Sequence, residues 1–231
     1  MNYLVTGASQ GIGFATAVAL ASRPEDRIFA LSRNTRGLAN LVDTVQKQYG
    51  AANVEVLAAD LAEVDVANLV DWISPFGHLH GLVNNAGLLL KASFLDSTPE
   101  IWQRTFEVNF FAVVRLLQGL YPIMDKTHIL NIGSMGGFQG SSKFPGLVAY
   151  SASKAALANL TECLAEEWKA DNIRCNCLAP GAVQTEMLAT AFPGFEAPVS
   201  SEKMGEMVAW FLREGHHFFN GKVLPVSVST P

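Results

Sequence analysis

Thr6-Gly7-Ala8-Ser9-Gln10-Gly11-Ile12-Gly13 follows a short apolar run, Tyr3 to Thr6, and opens a stretch of helical spacing from Gly11 to Ser22. A strand, a glycine-rich turn and a helix in that order suit a dinucleotide: the glycines permit the turn and a close backbone approach. The helix amino end offers free N–H groups and partial positive charge to a pyrophosphate. Three residues separate Gly7 from Gly11, whereas the common Gly-x-Gly-x-x-Gly loop has one. No Lys-Ser or Lys-Thr follows, which excludes a P-loop nucleotide hydrolase.

Outward from this unit the same alternation repeats. Apolar, branched runs at Arg27 to Leu31, Val54 to Ala58, Gly81 to Asn84, His128 to Ile132, Ile173 to Leu178 and Lys222 to Val228 predict six more strands. Helical spacing predicts helices over Thr35 to Tyr49, Val64 to Ile73, Pro99 to Met124, Ser151 to Ala170 and Ser201 to Arg213. Strands separated by helices imply right-handed crossovers and a sheet covered on both faces. The expected fold is α/β, a single doubly wound Rossmann-type domain over residues 1–231 with a seven-stranded parallel sheet. Leu188 to Ser200, with Phe192-Pro193-Gly194-Phe195, reads as an irregular insertion after the sixth strand. Ligands bind outside the carboxyl ends of such strands, so a short substrate lid is expected at about 187–200.

Composition narrows the function. Hydrophobic residues make up 49% of the chain and charged residues 16%, enough apolar surface for a packed core. The net charge is −5 and no block of Lys and Arg occurs, so nucleic acid is not an expected partner. Arg115 and Gln118 interrupt the most apolar stretch, Val108 to Ile123, so no membrane span is expected. The start, Met1 to Gly7, has neither the basic region nor the cleavage site of a signal peptide, which points to the cytoplasm. Cys163, Cys175 and Cys177 read as reduced, with the Cys175-x-Cys177 pair buried in a strand. His216-His217 reads as a solvated loop, and no metal site is expected.

Further motifs fall in order along the chain: Asp60-Leu61 after the third strand, Asn84-Asn85-Ala86-Gly87 ending the fourth, Asn109 in the long helix, Ser134 after the fifth strand, Tyr150-Ser151-Ala152-Ser153-Lys154, and Pro180-Gly181-Ala182-Val183-Gln184-Thr185. Together with Thr-Gly-x-x-x-Gly-x-Gly, this set resembles the short-chain dehydrogenase/reductase family in its compact form. The resemblance implies catalytic roles for Asn109, Ser134, Tyr150 and Lys154. It also implies a dinucleotide held by Gly7, Ser9, Gly11, Ile12, Gly13, Asp60, Leu61, Asn84, Ala86, Gly87, Pro180, Gly181, Val183 and Thr185. Lys154 would also bond the nicotinamide ribose, and Asn109 would help hold a water that relays protons through Lys154. Two positions depart from the family: Gly133 stands where many members have a second serine, and the end, Val226 to Pro231, lacks the usual Asp-Gly-Gly.

Residue chemistry supports those roles. At i and i+4 on a helix Tyr150 and Lys154 share a face. An ammonium about 4 Å from a phenol, worth roughly 4 kcal/mol at an effective dielectric of 20, would bring Tyr150 down toward neutrality and suit it to proton exchange with a carbonyl or alcohol oxygen. The Ser134 hydroxyl would bond that oxygen as charge develops. At the end of the second strand, where an acid selects NAD, the chain has Ser32 followed by Arg33, donors suited to a phosphate, so the expected cofactor is NADP(H). The expected activity is NADP-dependent interconversion of a ketone or aldehyde with an alcohol; the lid carries no arginine, which favours a neutral substrate, a 3-oxoacyl thioester among the candidates. The rival reading is a non-catalytic NADP(H)-binding redox sensor. Apolar residues on several faces of the helices around Ile101 to Tyr121 and Leu157 to Trp168 predict a homo-oligomer, a dimer or a tetramer.

Overall fold

The computed structural model describes residues 1–228; Ser229, Thr230 and Pro231, on which the tail's divergence from the family pattern partly rests, lie outside the described residues. Seven parallel strands form one sheet in the order β3-β2-β1-β4-β5-β6-β9. They are β1 (Asn2–Thr6), β2 (Arg27–Ser32), β3 (Val54–Ala58), β4 (Leu79–Asn84), β5 (Met124–Ile132), β6 (Arg174–Pro180) and β9 (Val223–Val226). The chain winds outward from β1 to β3, then returns to place β4 on the other side of β1. That reversal opens a crevice at the carboxyl ends of β1 and β4.

Strict alternation explains why both faces are covered. Tyr3 and Val5 point into a cluster with Leu20 of α1 (Gly11–Leu20), Leu41 of α2 (Thr35–Tyr49) and Val208 of α8 (Ser201–Glu214). Leu4, between them, points into the opposite cluster with Leu69 of α3 (Val66–Ile73), Leu116 of α5 (Ala112–Leu120) and Leu157 of α6 (Val148–Glu167). Cys175 and Cys177 are buried in β6 as expected.

Three local expectations need correction. The stretch from Pro99 to Met124 is not one helix: α4 (Pro99–Phe106) leads into a π turn (Glu107–Phe111), α5 and a 3-10 turn (Tyr121–Ile123), and Met124 already begins β5. Pro122 sits in that 3-10 turn, where its missing N–H ends the helical ladder. The segment after β6 is not irregular either. It holds β7 (Val183–Gln184), α7 (Glu186–Ala191) and β8 (Val199–Ser200), with β7 and β8 paired in parallel. His216 is half-buried rather than solvated, its ring 5.6 Å from that of His128 in β5. Among the described residues no helix is long and apolar enough to cross a membrane, and no cluster of His, Cys, Asp or Glu could hold a metal ion.

Candidate active site

A cavity of about 1240 Å³ runs along the carboxyl ends of the strands, from Arg33 and Asp60 past the Gly7–Ile12 turn to Tyr150 and the α7 segment. Its phosphate end is shaped by what is missing from the backbone. Gly7 takes φ +68°, and a Cβ on it would come 2.8 Å from the Ala86 Cα, so β1 and β4 meet closer than any side chain allows. Asn85 holds the turn there: its Nδ2 donates to the carbonyls of Thr6 and Gly7 at 3.0 and 3.2 Å, and its backbone N–H donates to Thr6 Oγ1 at 3.0 Å. No side chain caps the start of α1, so its first N–H groups stay free for an anion. These features fit a dinucleotide pyrophosphate.

At the adenosine end Ser32 Oγ donates to Ser9 Oγ at 2.8 Å, and Arg33, largely exposed, holds one guanidinium N–H side 3.4 Å from Asp60 Oδ2. Asp60 also accepts from the Ala62 N–H at 2.9 Å, which tightens the turn after β3. Gly7, Ser9, Gly11, Ile12, Ser32, Arg33, Asp60, Leu61, Ala86, Gly87, Pro180, Gly181, Val183 and Thr185 all line the cavity, as do Ser134, Tyr150 and Lys154.

Asn84, Gly13 and Asn109 do not. Asn84 is buried in the sheet and donates to Asn131 Oδ1 at 2.8 Å; strand alternation turns it away from the cavity that its neighbour Asn85 reaches. A Cβ on Gly13 would overlap Asn85 Nδ2 and the Gly7 carbonyl, so this glycine serves the packing of α1 on the loop. Asn109 is fully buried in the π turn: its Oδ1 accepts from Leu88 N–H at 2.7 Å, and its Nδ2 donates to Leu88 O at 3.0 Å and Ser153 Oγ at 2.9 Å. It is therefore a positioning residue, clamping the backbone of Leu88, which itself lines the cavity.

The Tyr150–Lys154 pair also behaves differently from its spacing. The Lys154 ammonium donates to Ile132 O at 2.7 Å and lies 6.0 Å from the centre of the Tyr150 ring. Burial raises the Tyr150 pKa, opposed more weakly by the neighbouring Ser134 hydroxyl, so the phenol stays protonated at neutral pH instead of titrating there. Burial likewise lowers Lys154 to about 8. Ser134 Oγ in turn accepts from Gly136 N–H at 3.1 Å. Spacing alone identified the pair; it could not show that the ammonium turns to a strand carbonyl. Asn85, within the Asn84-Asn85-Ala86-Gly87 motif, and Phe144 and Leu147, which no motif marks, also line the cavity.

The short chain dehydrogenase family matches residues 2–194. The oxidoreductase YvrD of Bacillus subtilis is 32% identical over 195 residues, covering 83% of this chain and 72% of its own. The 3-oxoacyl-[acyl-carrier-protein] reductase of Chlamydia trachomatis is 27% identical, covering 96% of this chain and 94% of its own. The L-sorbose reductase of Gluconobacter frateurii, solved with NADPH and L-sorbose, superposes with a TM-score of 0.86 at 27% identity, covering 99% of this chain and 95% of its own. A phosphate turn with its asparagine brace, a serine–tyrosine–lysine wall and a matching family over five-sixths of the sequence lead to one conclusion: the chain belongs to the short chain dehydrogenase family and is an oxidoreductase of that family.

Proposed function

We propose that the chain is an NADP(H)-dependent reductase of neutral ketones or aldehydes, working with the corresponding alcohols in reverse. The observation that carries this reading is that Ser134, Tyr150 and Lys154 share the wall of the same cavity that the Gly7–Ile12 turn opens. When bound, the nicotinamide supplies or accepts the hydride. Tyr150, kept protonated by burial, gives its phenolic proton to the substrate oxygen, and Ser134 bonds that oxygen as negative charge grows on it. Lys154 holds the nicotinamide ribose and stands behind Tyr150 as a reservoir of protons, while Asn109 fixes Leu88 at the floor.

The end of β2 carries Ser32 and Arg33 and no carboxylate, and the Arg33 guanidinium offers a fork of donors, which favours a 2'-phosphate over a free hydroxyl. The L-sorbose reductase relative was solved with NADPH, in line with this choice. The segment 187–200 closes the substrate end as a lid, all within one domain. Exposed Phe111 and Val148 leave apolar surface that a homo-oligomer would cover.

Tyr150→Phe is the test. With NADPH and a panel of neutral ketones, turnover should fall at least about 100-fold while NADPH affinity stays within a few-fold. Turnover equal to that of the unmodified enzyme removes Tyr150 from the chemistry. NADPH binding without oxidation by any carbonyl compound would instead favour a redox sensor.

A further inference from the structure

The end of the cavity beyond Ser134 and Tyr150 is walled by rings from separate parts of the chain. Phe144 comes from the connection between β5 and α6, Phe192 from the end of α7, and Phe195 from the turn beyond it. The Phe144 and Phe192 rings meet edge to face, centres 5.7 Å apart at 66°. Leu147, Met187 and Leu188 also line the cavity.

Lys91, from the loop after β4, locks this pair. Its ammonium donates to Ala191 O at 3.1 Å and stands 4.9 Å from the centre of the Phe192 ring. Its stem runs against Gly146, where a Cβ would come 3.1 Å from Lys91 Cγ, and the next residue's N–H donates to Gly146 O at 3.0 Å. The three segments are thereby joined, and the charge of Lys91 is committed outside the cavity lining.

Yet the rings are not packed into a core. Phe144 is 39% exposed, Phe195 50% and Met187 37%, all of them lining the cavity. Other charged lining residues are already paired: Arg104 of α4 with Glu100, and Glu107 of the π turn with Arg115, which also donates to Ala62 O beside Asp60. At the start of α7, just before the lid, the charged lining residue is Glu186, whose carboxylate repels carboxylates and phosphates.

A flexible alkyl chain would gain contact area here but lose rotor freedom. A flat ring satisfies the edge-to-face geometry already set by Phe144 and Phe192, and is rigid before it binds. We propose that this wall takes the aryl group of an aryl ketone or of its alcohol; the proposal rests on the carbonyl-reductase reading and names its substrate class.

The test compares acetophenone with cyclohexyl methyl ketone, which match in carbon number, as substrates of the NADPH-loaded enzyme. A pair of oriented ring contacts predicts kcat/KM about 10-fold higher for acetophenone. In the Phe144→Leu/Phe192→Leu variant the ratio should fall to about 2-fold or less. A ratio near one in the unmodified enzyme, or an unchanged ratio in the variant, overturns the proposal. If the double variant fails to fold by circular dichroism, Phe144→Leu alone, at the more exposed ring, decides it by the same ratio.

Calorimetric titration of 1-phenylethanol and 1-cyclohexylethanol into the NADP-loaded enzyme reads the same preference without turnover. A preference there with no reduction of any ketone retains the aryl wall and removes the reductase reading. Reduction of other ketones with no aryl preference in either assay does the reverse.

Discussion

The two ends of the cavity are built by opposite means. At the phosphate end, backbone meets backbone under one side-chain brace: Gly7 lies against Ala86, and Asn85 Nδ2 donates to two carbonyls of the turn. At the substrate end, segments are joined through side chains: Lys91 reaches Ala191, Phe144 leans on Phe192, and Gln184 holds Ala197. A part fixed by backbone contacts tolerates almost no change in residue type, whereas a part fixed by side chains can be rebuilt without moving the sheet. One end can thus stay constant for a shared cofactor while the other is shaped to a particular substrate.

The strongest challenge to that contrast is Gly13→Ala. The new methyl overlaps Asn85 Nδ2 and the Gly7 carbonyl, and neither belongs to a flexible side-chain end that can swing clear without giving up the brace. Loss of stability by about 3 kcal/mol or more is expected in urea unfolding, with NADPH affinity down at least about 100-fold in the fraction that folds. A variant with ordinary stability and cofactor affinity would show that the phosphate end is as adaptable as the substrate end.

A change inside the sheet, on β5 and away from the cavity, should spare the contrast and act on both ends together. His128 is buried in β5, with Nδ1 donating to Leu212 O at 2.8 Å and Nε2 accepting from Asn176 Nδ2 at 3.0 Å. Burial lowers its pKa from 6.5 to about 4, so the folded chain resists a proton that the unfolded chain accepts. Above pH 6.5 both states are neutral and the contribution is complete; it is lost as pH falls toward about 4. At about 1.4 kcal/mol per pKa unit the loss is about 2 kcal/mol by pH 5. Urea unfolding at pH 7 and pH 5 should show that difference in the unmodified chain and a smaller one in His128→Gln. Equal slopes would mean that His128 does not carry the acid sensitivity.

The same division explains what could be read from the sequence. All seven strands were legible within a few residues, because a parallel sheet buried on both faces demands unbroken apolar runs. The phosphate turn was legible because only glycine fits it. The split of the long helix was not, since the π turn follows from Asn109 reaching Leu88, a contact between distant segments. Nor was Phe144, which lies in a connection without periodicity and acquires its role only when α7 folds beside it. Asn84 was misplaced by one residue of strand alternation, and Tyr150 was assigned the wrong direction of shift because spacing says nothing about desolvation.

Cofactor choice tests whether the adenosine end shares the rigidity of the phosphate turn beside it. Ser32 and Ser9 are bonded to each other, but Arg33 is largely exposed and only loosely paired with Asp60. One charge-assisted contact from Arg33 to a phosphate is worth about 1.5–3 kcal/mol, so NADP(H) should be preferred about 10- to 150-fold in kcat/KM. Ser32→Asp combined with Arg33→Ala should reverse the preference without lowering stability by more than about 1 kcal/mol. Equal efficiency with NADH and NADPH in the unmodified enzyme would remove Arg33 from cofactor recognition.

The mildest probe acts on the substrate end alone. Gln184 Oε1 accepts from the Ala197 N–H at 2.9 Å, tying the lid's return to β7, whose only partner strand among the described residues is the two-residue β8. Both partners are solvent-accessible, so water replaces the bond when it is lost, and Gln184→Ala should cost about 1 kcal/mol or less in global stability. The local effect is larger than the global one. Amide exchange at Ala197 should quicken several-fold, because its protection comes from that bond, while the amides of β1 and β4 keep their rates. Substrate KM should rise about 2- to 5-fold with NADPH affinity unchanged, since a looser lid lowers the fraction of enzyme with Phe192 and Phe195 in place and leaves the Gly7–Ile12 turn untouched. A parallel loss of NADPH affinity would mean that the two ends are coupled through β7 and Thr185, and the division between a backbone-built end and a side-chain-built end would have to be redrawn there.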